Sequence, residues 1–336
     1  MALPSFEQLP DVVLREVLRD QDFISLQRIR KVHPNLTNFI DKNKDLIESN
    51  LKRLDVKEHR NFVKVKMVDL WRHVEVGYKE REDGCIVIHK DKRQLVRNED
   101  ALSRILKDLI LVLRHQKQSL VILSLAFSKN SPTFFENLAE YLATRKHPLQ
   151  VEQLNVKIGD VTGLLPLLQG LSAMHLKSIH LRHPTKERFH GTAWDLTAIS
   201  QQEAWKGAKE VVVERIAVRV PIGNMLHLST INIHMENVTA EDIHSLRQVA
   251  LYSSDFNSFK IGFNNFEDES LLLVLLGNPA RRRRMPGGKV KMTWWFTLEE
   301  EPETFTKVVE IVKKCDVFKF SNSSIALALE DPIVVA

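Results

Sequence analysis

The sequence is poor in the features that define membrane and secreted proteins. Its 336 residues include two cysteines, Cys85 and Cys315, which lie too far apart to form a metal-ligand cluster or a disulfide framework. No apolar run approaches the roughly 20 residues of a membrane span, and the first residues lack the apolar core of a signal peptide. We therefore expect no membrane partner, and we expect the chain in the reducing cytoplasm, the nucleus or both.

Motifs for catalysis and cofactor binding are also missing. The sequence has no G-x-x-x-x-G-K-[ST] phosphate loop, no G-x-G-x-x-G turn, no H-E-x-x-H zinc motif and no G-x-S-x-G nucleophile elbow. The densest of its 13 histidines have neither the i, i+4 spacing of a helical metal site nor a nearby cysteine. These four are His175, His180, His183 and His190. We predict no catalytic residue, no metal and no cofactor, and we predict that the chain is not an enzyme.

The composition is that of a folded globular protein. About 43% of the residues are apolar and 27% are charged, which does not indicate disorder. The formal net charge of +5 is small for this length, so charge alone does not predict a nucleic-acid partner.

The segment from Leu9 to Phe39 predicts three short helices. Pro10 suits a helix start, Asp22 can cap a second helix, and Pro34 ends that helix before a third apolar pattern begins. Three helices in about 40 residues cannot build a large core, so we expect a partner to cover part of their apolar surface. The positions expected to contact it are Leu9, Pro10, Val13, Leu14, Val17, Leu18, Leu26 and Ile29.

These residues resemble an F-box. The resemblance rests on Leu9-Pro10, the pairs Val13-Leu14 and Val17-Leu18, an acidic break, and Leu26 followed by Ile29-Arg30-Lys31-Val32. It departs from the family at His33-Pro34, a turn. The resemblance implies that the segment docks on a Skp-type adaptor, and through it on the cullin scaffold of a cullin–RING ubiquitin ligase. The rival interpretation is an ordinary three-helix cap on the domain that follows.

The chain divides into three predicted segments. Residues 1–48 form the F-box-like unit. Residues 49–97 form a connector with short strands at Phe62–Met67 and Cys85–Ile88, after a polar stretch through Leu54 that is compatible with a continuing helix. Residues 98–336 form the remaining domain, which opens with a helix that Asn98 can cap.

Beyond Asn98, strands and helices alternate. Apolar runs such as Leu120–Phe127 predict buried strands, and intervening stripes predict helices, including one that begins at Pro302 and contains Phe305, Val309 and Val312. Repeated strand–helix units predict an α/β fold with parallel strands. A doubly wound sheet and an irregular leucine-rich-repeat-like arc both fit this alternation. The arc is favoured because VEQLNV, LKSIHL and LSTINI approximate the L-x-x-[LI]-x-[VIL] pattern of such repeats.

A second resemblance covers roughly residues 60–300. The run DALSRILKDLILVLRHQKQSLVILSLAF, then LAEYLATRKHPLQVEQLNVKI, and later AISQQEAWKGAKEVVVE with Trp205 and Lys209, is similar to the FTH domain. That domain follows the F-box in nematode-type F-box A proteins. The resemblance implies a leucine-rich-repeat-like surface that selects an unidentified substrate protein.

Four consecutive arginines form the sharpest charge run. They are Arg281, Arg282, Arg283 and Arg284, followed by MPGGK, which predicts a loop. Such a loop could bind nucleic acid or another anion, an acidic partner or an import receptor, although a solvated loop between a helix and a strand is the favoured interpretation. The sequence thus predicts a substrate adaptor of an SCF-type ubiquitin ligase. The alternatives are a repeat scaffold unconnected to ubiquitin, or a nucleic-acid binder that uses these arginines.

Overall fold

The computed structural model describes residues 6, 9–19, 21, 25–26, 29, 32–43, 51–60, 62–69, 73–128, 132–187, 189–301, 304–323 and 333–334. Within them the helices are α1 (Asp11–Arg19), α2 (Pro34–Lys42), α3 (Ala101–Arg114), α4 (Pro132–Ala143), α5 (Leu164–Gln169), α6 (Thr197–Ser200), α7 (Glu203–Gly207), α8 (Ala240–Tyr252) and α9 (Glu269–Leu276). The strands are β1 (Arg53–Glu58), β2 (Val63–Val68), β3 (His73–Arg81), β4 (Gly84–His89), β5 (Lys92–Arg97), β6 (Leu120–Ala126), β7 (Val151–Lys157), β8 (Ser178–Arg182), β9 (Trp194–Asp195), β10 (Glu210–Glu214), β11 (Val218–Arg219), β12 (Thr230–Val238), β13 (Ser258–Phe266), β14 (Arg281–Arg284), β15 (Val290–Glu301), β16 (Thr304–Lys314), β17 (Val317–Asn322) and β18 (Ile333–Val334). None of these helices combines the length and apolar character needed to span a membrane.

The N-terminal helices begin where the sequence predicts. Helix α1 follows Pro10, and α2 has Pro34 in its first turn with His33 as its N-cap, whose Nδ1 accepts a hydrogen bond from the backbone N–H of Asn35 at 3.2 Å. The predicted middle helix falls largely outside the described residues, although Ser25, Leu26 and Ile29 are helical where they are described.

A single mixed sheet contains the strands that follow. At one end, β5, β4, β3, β2 and β1 form an antiparallel meander. In the centre, β1, β6, β7, β8, β10, β12 and β13 run parallel and are joined in the order of the chain. At the other end, β17, β16, β15 and β14 are antiparallel, with β17 paired to β13. Because β1 pairs with β6, the strands between residues 53 and 97 belong to the same sheet as the later units.

The helices that the structure describes beyond residue 100 pack against one face of this sheet. Inward strand residues such as Leu123 and Leu154 share a buried core with Ile105 of α3 and Leu138 of α4. Because side chains alternate along a strand, the intervening positions point to the opposite face, which we call the open face; it carries, for example, Lys157. A doubly wound sheet needs a point at which the strand order reverses, and the parallel strands described here have none.

Caps account for two helix starts. Helix α8 begins with a capping box, in which Thr239 and Asp242 exchange side-chain to backbone hydrogen bonds, as the sequence predicts for Thr239. The prediction that Asn98 caps α3 is wrong. Asp100 is the cap and accepts a hydrogen bond from the backbone N–H of Ser103 at 2.9 Å, whereas Asn98 adopts a positive φ of 56° in the preceding turn.

Three other local predictions are wrong. Leu54 lies in β1, so no helix continues through it. The stretch from Thr304 to Lys314 is strand β16 and not a helix, because its run of β-branched residues pairs with β15 and β17. The four arginines form β14 instead of a loop. Four identical charged residues show no polar–apolar alternation, so periodicity could not identify this strand. The turn is Pro286–Gly288, where Gly287 and Gly288 have φ of 79° and 74°.

Candidate functional site

The N-terminal helices have a small core of their own. Its buried members are Leu14, Leu18, Leu26, Leu36, Phe39 and Ile40, with Leu9 and Ile29 partly buried against them. Among the described residues this cluster is separate from the core of the sheet. The apolar inner stripe of α1 is therefore covered by the other N-terminal helical residues and not by the sheet domain.

The outer surface of α1 remains apolar and exposed. Val13 and Val17 are 42% and 43% exposed, and Val12 is 75% exposed. Val13 and Val17 are four residues apart, so they are neighbours on the helix surface, beside the inward stripe of Leu14 and Leu18. An exposed pair of branched apolar side chains next to a small core is a surface that a partner could cover.

The predicted contact residues thus divide into three groups. Pro10, Val13 and Val17 are exposed. Leu9 and Ile29 are partly buried, and Leu14, Leu18 and Leu26 lie inside the cluster. The prediction treated all eight as one face, because the 3.6-residue period shows which residues are apolar but not how wide the buried stripe is.

Two exposed valines were missed by the sequence reasoning. Val12 and Val32 are 75% and 72% exposed. The exposure of Val12 could have been predicted from the helical wheel, which places it about 100° from Val13 and on the side that also carries Glu16. Val32 belongs to the residues that carry the F-box resemblance but was not among the predicted contacts; it lies in a turn just before α2.

A basic groove crosses the open face of the sheet. Its volume is about 660 Å³, and its lining includes two carboxylates, Asp55 and Glu214, against a larger number of basic side chains. The basic residues are Arg53, Lys57, Lys64, Lys66, Lys157 and Arg182. We call this feature the basic groove.

Ion pairs neutralise part of this charge. Arg53 Nε lies 2.7 Å from Asp55, Lys64 Nζ lies 2.9 Å from Glu75, and Arg182 Nε lies 3.1 Å from Glu214. Lys64 lowers the pKa of the Glu75 carboxyl by donating a hydrogen bond to it.

Lys57 and Lys157 have no carboxylate within ion-pairing distance among the described residues. Burial lowers the pKa of the Lys157 ammonium, and the charges of Arg182, Arg215 and Lys57 lower it further. An ammonium whose neighbours are cations, and which is partly removed from water, is a favourable place for an anion.

The four arginines lie elsewhere in the sheet. All are exposed, and they pair with residues 290–293 of β15. The guanidinium of Arg281 lies 4.9 Å from the ring centroid of Trp295, a cation–π contact. Charged side chains on a short strand of this kind also discourage edge-to-edge association of sheets.

Of the four densest histidines, one, His180, lines the groove, and the four do not form a cluster. His180 Nε2 lies 2.9 Å from the Ser178 hydroxyl, while His183 is buried and stacks on Phe189 at 4.2 Å between centroids. In the part of the chain that the structure describes, no three His, Cys, Asp or Glu side chains come together as metal ligands would.

Comparison with family models identifies two domains. An F-box model matches residues 6–48, and an FTH domain model matches residues 132–276. The chain is an F-box protein that carries an FTH domain. The sequence prediction of both domains is confirmed, although the FTH match is shorter than the expected range of about 60–300. No curated protein and no solved structure was found to match the chain.

The F-box carries a general functional implication. An F-box implies binding of a Skp-type adaptor and the role of a substrate adaptor in an SCF-type complex, and F-box proteins are generally adaptors rather than enzymes. The α1 valines lie inside the F-box match. The basic groove lies on both sides of the FTH boundary, because β7, β8 and β10 fall inside the match while β1, β2 and β6 precede it.

Proposed function

We propose that this F-box protein is the substrate-recognition subunit of an SCF-type ubiquitin ligase. The N-terminal F-box holds a Skp-type adaptor and, through it, the cullin scaffold, while the sheet domain holds a target protein. The observation that carries the proposal is the exposed Val13–Val17 surface on a helix whose inner side is already filled by a separate small core. An N-terminal cap on the sheet would instead share the core of the sheet.

The position of each residue suggests its part in docking. Pro10, Val13 and Val17, with Val12, are the direct contacts, since they have surface left to bury. Leu14, Leu18 and Leu26 hold the shape of that surface from beneath. Leu9 and Ile29 lie at its edge, where a partner could complete their partial burial.

The remainder of the chain, from about residue 49, acts as the target-binding part. We assign 49–97 as a connector whose strands extend the sheet, and 98–336 as an irregular leucine-rich-repeat-like domain. Support comes from the parallel strands, which follow chain order, and from the helices packed on one face. This arrangement leaves a broad, polar open face, and each unit contacts mainly its neighbours.

The chemistry of this role is proximity. The ubiquitin-carrying enzyme of the ligase meets a lysine of a target that the adaptor holds in place, so the reaction becomes effectively intramolecular. This chain supplies no nucleophile in that scheme. Its place of action is the cytosol or nucleus, where such ligases assemble.

Reconstitution tests the proposal. The full chain, mixed with a purified Skp-type adaptor and the N-terminal half of a cullin, should elute from a sizing column as one ternary complex. Elution of the chain apart from the adaptor at micromolar concentration would leave the repeat-scaffold alternative in its place.

A further inference from the structure

The basic groove has a regular geometry that suggests its ligand. Strand registers place Lys64, Lys57, Ala126, Lys157 and Arg182 in one row across β2, β1, β6, β7 and β8. Adjacent strands lie about 4.8 Å apart, so the row is about 19 Å long, which is the reach of roughly six residues of extended peptide. The small Ala126 side chain in the middle leaves the floor of the groove low between two lysines.

Charge along this row favours an anionic ligand. Lys57 and Lys157 flank the low point, and among the described residues neither has a carboxylate partner. The two ends are better neutralised, since Lys64 pairs with Glu75 and Arg182 pairs with Glu214. The strongest unbalanced positive charge therefore lies at the centre of the groove, on the two lysines beside Ala126.

The remaining lining favours a peptide over a nucleic acid. Among the described residues, no Phe, Tyr or Trp lines the groove, so this part of it offers none of the stacking surface on which single strands of nucleic acid are usually held. Ser124, Asn155 and His180 offer side-chain donors and acceptors that suit a peptide backbone. Asp55 and Glu214 would repel a continuous phosphate backbone but can accept hydrogen bonds from peptide N–H groups.

We propose that the basic groove binds an extended, anionic peptide segment of the target protein, with carboxylate or phosphate groups seated between Lys57 and Lys157. This inference rests on the proposed function, whose substrate class it names. Carboxylates and phosphates share the chemistry required here, and the arms of the experiment below distinguish them.

The test uses the full chain purified together with a Skp-type adaptor. The probes are fluorescein-labelled peptides of about twelve residues, twice the length of the row. One repeats Glu-Gly, one phosphoserine-Gly and one the neutral Gln-Gly, and binding is read by fluorescence anisotropy at about 50 and about 200 mM salt. We expect the anionic probes to bind, the neutral probe to bind at least about tenfold more weakly, and added salt to weaken the anionic probes.

Matched double variants assign the site. Lys57→Glu/Lys157→Glu should weaken the anionic probes by at least about tenfold, and the milder Lys57→Gln/Lys157→Gln should weaken them by several-fold. The control is Lys260→Glu/Lys319→Glu, which makes the same change of charge at exposed positions paired across β13 and β17. The control should change binding by less than about twofold, and all variants should still bind the adaptor.

Each outcome has a defined consequence. Tighter binding of the phosphoserine peptide identifies phosphates as the ligand groups, and tighter binding of the Glu peptide identifies carboxylates. Equal binding of the neutral peptide, binding unaffected by the groove variants, or preferential binding of a twelve-nucleotide single strand would overturn the groove proposal while adaptor binding kept the ligase function intact. If the full chain bound the anionic peptides but did not retain the adaptor, the groove proposal would stand and the ligase function would be overturned.

Discussion

Replacing Val13 and Val17 by alanine should weaken adaptor binding with little effect on the stability of the fold. Both side chains lie on the outer surface of α1, and a little over two-fifths of each is exposed. Alanine has the higher helix propensity, which offsets most of the loss of the three-fifths of each side chain that the fold already covers, so the free energy of unfolding of the double variant should fall by less than about 1 kcal/mol. A loss of affinity would then have no explanation in lost stability.

The expected loss follows from the exposed fraction. Each Val→Ala change removes two methyl groups, worth about 0.8 kcal/mol each when fully taken out of water. Only the exposed two-fifths of that surface is left for a partner to cover. Each valine therefore contributes about 0.7 kcal/mol to docking and the pair about 1.4 kcal/mol. Loss of both contributions corresponds to a roughly tenfold larger dissociation constant for the adaptor complex.

Titration calorimetry of the full chain with the purified adaptor measures this loss. Val274→Ala is the matched control, because Val274 is 78% exposed on helix α9, outside the F-box match. Val13→Asp/Val17→Asp should remove measurable binding, since docking would bury unpaired charges at a cost of several kcal/mol. If the alanine pair binds within twofold of the parent, the outer surface of α1 is not the docking surface and the reasoning fails.

Three further predictions concern the sheet domain. Gln116→Leu should lower the free energy of unfolding by about 2–4 kcal/mol in denaturant titration, because the Gln116 amide bonds both the N–H and the C=O of buried Leu51. Tyr78→Phe should cost about 1–2 kcal/mol in the same assay, since it removes the hydroxyl that donates to Asp108 at 2.8 Å; burial raises the pKa of that hydroxyl, so it remains a donor at neutral pH. Burial lowers the pKa of His183, so the unfolded chain binds more protons and stability should fall as the pH drops below the ordinary value of 6.5. His183→Asn, which keeps an acceptor but cannot be protonated, should lose less stability between about pH 7.5 and about 5.5, and an equal loss in both proteins would contradict this account.

Sequence patterns predicted the N-terminal unit well where the signal was local. Pro10 marked the start of α1, Pro34 marked the boundary before the third apolar pattern, which is α2, and the leucine spacing marked the inner stripe of α1. The division of α1 into buried Leu14 and Leu18 and exposed Val13 and Val17 could not be predicted, because all four residues are apolar. Only the packing of Leu36, Phe39 and Ile40 beneath the helix shows which side is already covered.

Several of the parallel strands from β6 onward were predicted one by one, whereas β16 and the start of β1 were predicted as helices and the surface that the strands share was not predicted. Alternation in β1 and β2 marks Lys57 and Lys64 as opposite to buried neighbours, yet nothing in the chain shows that they share a row with Lys157 and Arg182. Registers between β1, β6, β7 and β8 decide that, and they depend on pairings across about 70 and 20–30 residues. The sequence did not predict strand β14 for a different reason, because four consecutive arginines show no polar–apolar alternation.

The path of the chain between the two surfaces supports a common role for them. Leu51 is the first residue described after the F-box match. The Gln116 amide hydrogen-bonds both the N–H and the C=O of Leu51, two residues before β1 begins. Lys57 lies six residues further along, a span of about 20 Å in extended chain. A peptide in the basic groove would therefore contact β1, the first described strand after the F-box match. Because Leu51 is fixed by buried hydrogen bonds and Lys57 by pairing on both sides of β1, the groove is held rigidly relative to Leu51. The proposed catalysis by proximity would benefit from this rigidity, since a target held on a loose arm would spend little time near the ubiquitin-carrying enzyme.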